Sequence, residues 1–141
     1  MQKLSIMKRY FEEIWQKESK YVAREIVAPS VITRFPQSHG SGPDGVLKVV
    51  QERKRAFSSI KFLIIDHVSN KNSIWVRYRF TGKHTGTFWG IPASNKPVSY
   101  EAILMAEISN SRIVKLESIR DELSLLEQVG VKINIIKDNR Q

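Results

Sequence analysis

Apolar residues fall first at helical spacing and later at strand spacing. Leu4, Met7, Phe11 and Ile14 recur every three or four positions, with Tyr10 and Trp15 beside them, while Lys8, Glu12, Glu13 and Lys17 lie opposite. This spacing predicts an amphipathic helix over 3–17. A second short helix follows, N-capped by Ser19, with Tyr21, Val22, Ile26 and Val27 on its apolar side and Pro29 as its stop. Val31-Ile32-Thr33 reads as a short strand, and Pro36 to Gly45 as a loop. Pro43 suits the first turn of a third helix, roughly 43–57. Its buried side is Val46, Val49, Val50 and Phe57, with Arg53, Lys54 and Arg55 mostly outward.

After Ser58 the period becomes two. Ile60, Phe62, Ile64 and Val68 alternate with Lys61, Leu63, Ile65 and His67. Asn70-Lys71-Asn72 is a turn. Ile74, Val76, Tyr78 and Phe80 then alternate with Trp75, Arg77, Arg79 and Thr81, and a loop from Gly82 to Asn95 follows. Val98 to Ile108 is a long strand, turned by Asn110-Ser111 into Ile113–Ile119. The last helix covers 122–129 and ends at Gly130, a natural residue just past a helix end. Helices first and a meander of strands afterwards argue an α+β domain over 1–131, with a polar tail over 132–141.

The chain has 141 residues, enough for one domain. It has no cysteine, hence no disulfide frame and no thiolate ligand. The start of the chain reaches Glu12 and Glu13 too soon for a leader, and no apolar run is long enough to span a bilayer. The expectation is a cytoplasmic protein without membrane contact. The net charge of +9 is spread along the chain, with Arg53-Lys54-Arg55 as the compact cluster. No aromatic-basic run of the RNA-binding kind accompanies it, so nucleic acid is not the expected partner. His39, His67 and His84 are far apart in sequence, and no metal site or cofactor is expected. Gly40-Ser41-Gly42-Pro43-Asp44-Gly45 fits a dinucleotide-binding spacing to the letter. Pro43 removes an N–H from such a phosphate cradle, and no second parallel strand follows.

Three segments carry a resemblance. Gly42-Pro43-Asp44-Gly45-Val46 opens a helix; Thr81-Gly82-Lys83-His84-Thr85-Gly86-Thr87-Phe88-Trp89-Gly90-Ile91-Pro92 leaves a strand; Arg112-Ile113-Val114 leads to Asp121-Glu122-Leu123-Ser124-Leu125-Leu126-Glu127-Gln128-Val129-Gly130. In this order the sequence resembles the SnoaL-like polyketide cyclases of the nuclear-transport-factor-2-like superfamily. The resemblance implies a cone: a curved antiparallel sheet whose N-terminal helices enclose a pocket. It also implies a homodimer through the outer face of the sheet, and an apolar small-molecule ligand. Some members close rings by aldol condensation, with a carboxylate as acid/base and no cofactor.

By the resemblance, Asp121 matches the catalytic aspartate. A carboxylate in an apolar cavity has a raised pKa and can exchange protons with carbon and oxygen. Asp121 also stands where the last helix takes its N-cap, a role that needs no catalysis. The pocket residues expected with it are Trp15, Phe35, Tyr78, Phe80, His84, Trp89, Tyr100, Leu104 and Glu117, with Tyr78 or Tyr100 as oxyanion donor. Aromatics at these spacings are also what a plain core contains. The chain departs from the family pattern in three places. Leu104 stands where the cyclases carry a histidine, Glu117 where many carry tryptophan, and Thr33 or Arg34 where a histidine is common. The functional expectation is therefore a pocket protein for an apolar, carbonyl-containing ligand, either an aldol-type cyclase or isomerase without cofactor or a non-catalytic dimeric binding module. A third reading, hydrolysis of the limonene-epoxide-hydrolase kind, needs a second aspartate that the sequence does not place.

Overall fold

The computed structural model of the chain describes residues 2–34 and 38–134. It opens with α1 (Lys3–Arg9), which widens without a break into a π-helical stretch, Tyr10–Trp15. There Gln16 N–H donates to Phe11 O, five residues back. The wider turn lets Tyr10, Phe11, Ile14 and Trp15 all face inward, more than one narrow α-helical stripe would bury. Helix α2 (Lys20–Ile26) starts at Ser19, whose hydroxyl accepts from Val22 N–H.

Strands β1 (Ile32–Arg34) and β2 (Ser38–Ser41) form a small antiparallel pair, so part of the expected 36–45 loop is strand. Helix α3 (Gly42–Ala56) follows, and the glycines around its start answer a packing need. A Cβ on Gly45 would lie 2.8 Å from Gly40 O. The glycine spacing that fits a phosphate loop is thus explained by close backbone approach.

Four long strands make the main sheet in sequence order: β3 (Phe57–Ser69), β4 (Ser73–His84), β5 (Pro97–Ser109) and β6 (Arg112–Arg120), all antiparallel. Register shifts within β3 at 58–61 and 64–66, and against β6 at 107–108, mark the bulges that curve it. The sheet stays open rather than closing into a barrel. Asn110 and Ser111 both have positive φ, as a tight two-residue hairpin requires. Helix α4 (Glu122–Gln128) closes the fold.

The inner face of the sheet carries Ile74, Val76, Tyr78 and Phe80 of β4 and Val98, Tyr100, Ala102, Leu104 and Ala106 of β5, all buried. Cross-strand pairing sets Phe80 opposite Tyr100, their rings stacked at 4.8 Å. The helices pack on this face, and Phe11 stacks on Phe62 at 4.9 Å. The outer face carries Trp75, Arg77, Arg79, Ile103 and Ile119, all exposed. Val68, expected on the inner side, is exposed, because the second bulge in β3 shifts the phase of its last residues. Among the described residues no helix is long and apolar enough to cross a membrane.

Candidate functional site

The concave face holds an open pocket of about 560 Å³ between the π-helical stretch, β1, α3 and the β5–β6 edge. Trp15, Val49, Leu104 and Val114 give it apolar walls, and Tyr10, Thr33, Ser118 and Arg120 give it polar groups. Strand alternation explains the last two. On β6, Leu116, Ser118 and Arg120 pair with Ala106, Leu104 and Ala102 of the buried face, so they point inward.

Behind Arg120 stands a polar group that the sequence reading placed outside. Arg53 is only 3% exposed, where the expectation had it turned outward with Lys54 and Arg55. Its guanidinium carbon lies 5.3 Å from the Phe88 ring centroid, 5.9 Å from Phe57 and 6.0 Å from Tyr100. Its Nη2 is 3.6 Å from Glu122 Oε1, and Arg120 Nε reaches the same oxygen at 3.1 Å. Helices α3 and α4 and strand β6 thus meet at one carboxylate. Burial, and then the charge of Arg53, make Arg120 a weaker base than an ordinary arginine. Arg53 had a sequence signal: it follows Val49 and Val50 by four and three positions, on the apolar stripe of α3.

Tyr78 Oη lies 3.5 Å from Ser118 Oγ. Burial pushes the Tyr78 and Tyr100 hydroxyls up, so both stay protonated and can donate at neutral pH. Tyr10 is raised by burial in the same way. Trp15 Nε1 meets no acceptor with hydrogen-bond geometry, although it lies close enough to the Tyr10 hydroxyl to offset part of that shift.

The structure separates the expected site residues into groups. Trp15, Leu104 and Glu117 line the pocket. Glu117, expected inside, touches the pocket only at its rim: it alternates with the inward Leu116 and Ser118, so its side chain is turned outward, exposed and 3.4 Å from Lys115. Tyr78 and Tyr100 are buried beside Arg53 and Arg120. Phe80 is a core ring, fully enclosed among Phe57, Phe62 and Tyr100. His84 is not in the loop but at the end of β4, fully buried. Its Nδ1 accepts the Ser94 N–H at 3.1 Å, and its main chain bonds Lys96 and Asn95, so it clamps the 84–97 connection shut. Trp89 is 48% exposed and stacked on Phe88, beside a separate hollow lined by Arg53 and Arg55. Phe35 lies outside the described residues.

Asp121 is exposed and caps α4: its Oδ1 accepts the Ser124 N–H at 3.1 Å. Its neighbours are Arg77, Glu101, Ile103 and Ile119 of the outer face. Because Arg120 takes the inward position, the next residue falls on the other side of the sheet. The pocket lining does not include the Asp121 carboxylate. Among the described residues no group of three or more His, Asp or Glu side chains is placed to hold a metal ion.

The family model for the SnoaL-like polyketide cyclases matches residues 5–129. The chain belongs to this family. Solved structures of the same fold include TsrD from Streptomyces laurentii, at TM-score 0.81 and 19% identity, covering 90% of this chain and 93% of that one. IdmH from Streptomyces antibioticus superposes at TM-score 0.79 with 22% identity over 93% of this chain and all of its own, 100%. A SnoaL-like polyketide cyclase from Agrobacterium tumefaciens strain C58 does so at 0.74 with 17% identity, covering 92% and 100% of the two chains. These likenesses establish the nuclear-transport-factor-2-like α+β fold. Among curated proteins no match to the chain is found.

Proposed function

We propose that this SnoaL-like protein binds an apolar, carbonyl-containing small molecule in its concave pocket. One observation carries the reading: the pocket joins apolar walls to a few convergent polar groups, the composition of small-molecule sites generally. The test is direct. Leu104→Trp fills the pocket from the β5 wall. An aromatic ketone such as 2-acetonaphthone, titrated by calorimetry, should bind the parent and not this variant, with the variant still folded by circular dichroism. Equal binding to both would place the ligand elsewhere and sink the proposal.

A second reading adds catalysis, and the family supports it. Arg120 lines the pocket, and its guanidinium would stabilise an oxyanion formed there. In an aldol closure the base removes a proton from the carbon beside one carbonyl. The resulting enolate carbon attacks a second carbonyl, and the alkoxide so formed takes a proton back. Asp121 is engaged as the helix cap, and Glu117 shares its outward phase on β6 and lies exposed beside Lys115, so the proton would be taken by water or by the ligand's own basic group, with Arg120 stabilising the developing charge. Arg120→Gln should then slow ring closure at least about tenfold with the variant still folded by circular dichroism; undiminished turnover would remove Arg120 from the mechanism.

The outer face of the sheet supports a homodimer. Trp75, Ile103 and Ile119 are exposed there beside the Arg77–Glu101 pair, which closes at 2.6 Å. Aromatic and arginine residues set among aliphatics have the composition of a protein interface. Sedimentation should give twice the mass of one chain, reduced to the monomer by Ile103→Glu.

A further inference from the structure

The outer face of the sheet carries its charge unevenly along the strands. At one end stand Lys61 of β3 and Lys83 of β4, both exposed. Their cross-strand neighbours are Thr81, Ser58 and Pro97, none of them acidic. At the other end stand Glu107 of β5 and Lys115 and Glu117 of β6, also exposed. Lys115 faces Glu107 across the strands and lies 3.4 Å from Glu117, so two carboxylates share one ammonium. Two lysines make the first end +2, and two glutamates against one lysine make the second −1, in a chain whose net charge is +9.

The acidic end is also hollow. Val68, Trp75, Met105, Glu107, Lys115 and Glu117 line an open depression of about 510 Å³. Trp75, 52% exposed, stands in one row with Met105 and Glu117 across β4, β5 and β6. An indole face beside carboxylates seats an alkylammonium group: the ring attracts the cation and the carboxylates neutralise it. A lysine brings such a head on an apolar stem, and the stem suits Val68 and Trp75.

A lysine of this kind lies on the same face. Lys83 is level with Pro97 in the register of β4 and β5, and Glu107 is level with Ser73, so Tyr78 marks the level midway between them. Ile103 and Ile119, exposed and paired across β5 and β6, sit beside that level. Two stacked sheets keep their strands nearly aligned. A two-fold axis lying across the strands at the level of Tyr78 runs the strands of two copies antiparallel and brings their isoleucines together. The same axis sets Lys83 at the level of the partner's Glu107, one strand spacing or about 5 Å to the side. Two chains of like net charge repel each other, and this orientation places opposite charges in contact at both ends. We infer that a second copy of the chain docks on the outer face in this antiparallel sense, with Lys83 of each copy seated in the other's hollow beside Trp75, Glu107 and Glu117. The inference rests on the homodimer reading above and specifies its orientation and the residue each copy contributes.

The experiment is a charge exchange in the intact chain, read by sedimentation equilibrium. Lys83→Glu and Glu107→Lys should each raise the dimer dissociation constant at least about tenfold. Lys83→Glu lowers the net charge, so relief of general repulsion would strengthen association instead. The double variant Lys83→Glu with Glu107→Lys rebuilds the pair with its signs exchanged and should return to within about threefold of the parent. Lys48→Glu makes the same charge change on the exposed side of α3 and should stay within about twofold. All three positions are exposed, so thermal melts by circular dichroism should show every variant folded. A parent dimer indifferent to both single changes, or a double variant no tighter than the singles, would overturn the inference and leave the homodimer standing. A parent that stays monomeric would overturn the two together.

Discussion

Arg53 and Asp121 show how differently two charged residues can be read and placed. Arg53 is enclosed by three aromatic rings and a carboxylate. Removing one member of a buried ion pair leaves the rest of the charge without compensation. Glu122→Gln is therefore expected to destabilise the fold by about 2–4 kcal/mol, since it removes the carboxylate that both guanidinium groups approach. The Asp121 carboxylate accepts one backbone N–H in water. Asp121→Ala should cost about 1 kcal/mol, and Asp121→Asn only a few tenths, because asparagine caps as well. Urea denaturation of the three variants checks the order. The sequence offered both readings of Asp121, and only the phase of β6 decides between them. The basic triplet of α3 does not act as one cluster: the helix turns Arg53 inward and Arg55 to solvent.

At the level of elements, the periods of three to four and of two located the helices and the long strands well. The amphipathic pattern survives because burial on one face is what makes it. Three features escaped it. The π-helical stretch keeps an apolar pattern close to that of an α-helix, so only hydrogen bonding distinguishes Tyr10–Trp15. The β1–β2 pair lies in a Gly/Ser/Pro-rich segment without alternation. The bulge near the end of β3 moves Val68 outward without any break in composition. One glycine there is a sharp test of element packing. Thr85 and Gly86 both donate to Ala56 O, and a Cβ on Gly86 would fall 1.9 Å from Arg55 O. Gly86→Ala cannot be accommodated without moving the backbone at the α3–β3 junction. The expected loss is about 3 kcal/mol or more, read as a fall in the urea midpoint. Ser94→Ala, which removes one contact to His84 and leaves its backbone bond, should cost about 1 kcal/mol.

For the whole molecule, one curved sheet presents two unlike surfaces. Its inner face and the helices make the core and the pocket; its outer face mixes exposed aliphatics with a ladder of arginine and glutamate. The Arg77–Glu101–Arg79 group is solvent-exposed, so its ion pairs contribute little to folding. Arg77→Gln should leave the melting temperature within about a degree, as surface changes usually do. If the outer face joins two copies, the same variant should shift the monomer–dimer balance, and sedimentation separates the two effects. The fold was legible in sequence because family motifs and periodicity agree. The site was less so, because which residues share the pocket depends on strand register and on helix rotation.

Arg120 and Asp121 are adjacent, opposite in charge and on opposite sides of the sheet. Which of them meets the ligand is therefore a matter of parity: whether an odd or an even number of residues separates the hairpin from the end of β6. A single residue inserted between Leu116 and Ser118 would exchange them, turning an arginine-lined chamber into an acidic one without altering any side chain. In a scaffold of this kind, the reactivity of the chamber can change sign through chain length alone. An alignment of such domains that ignores strand phase would equate residues whose side chains leave the strand on opposite sides.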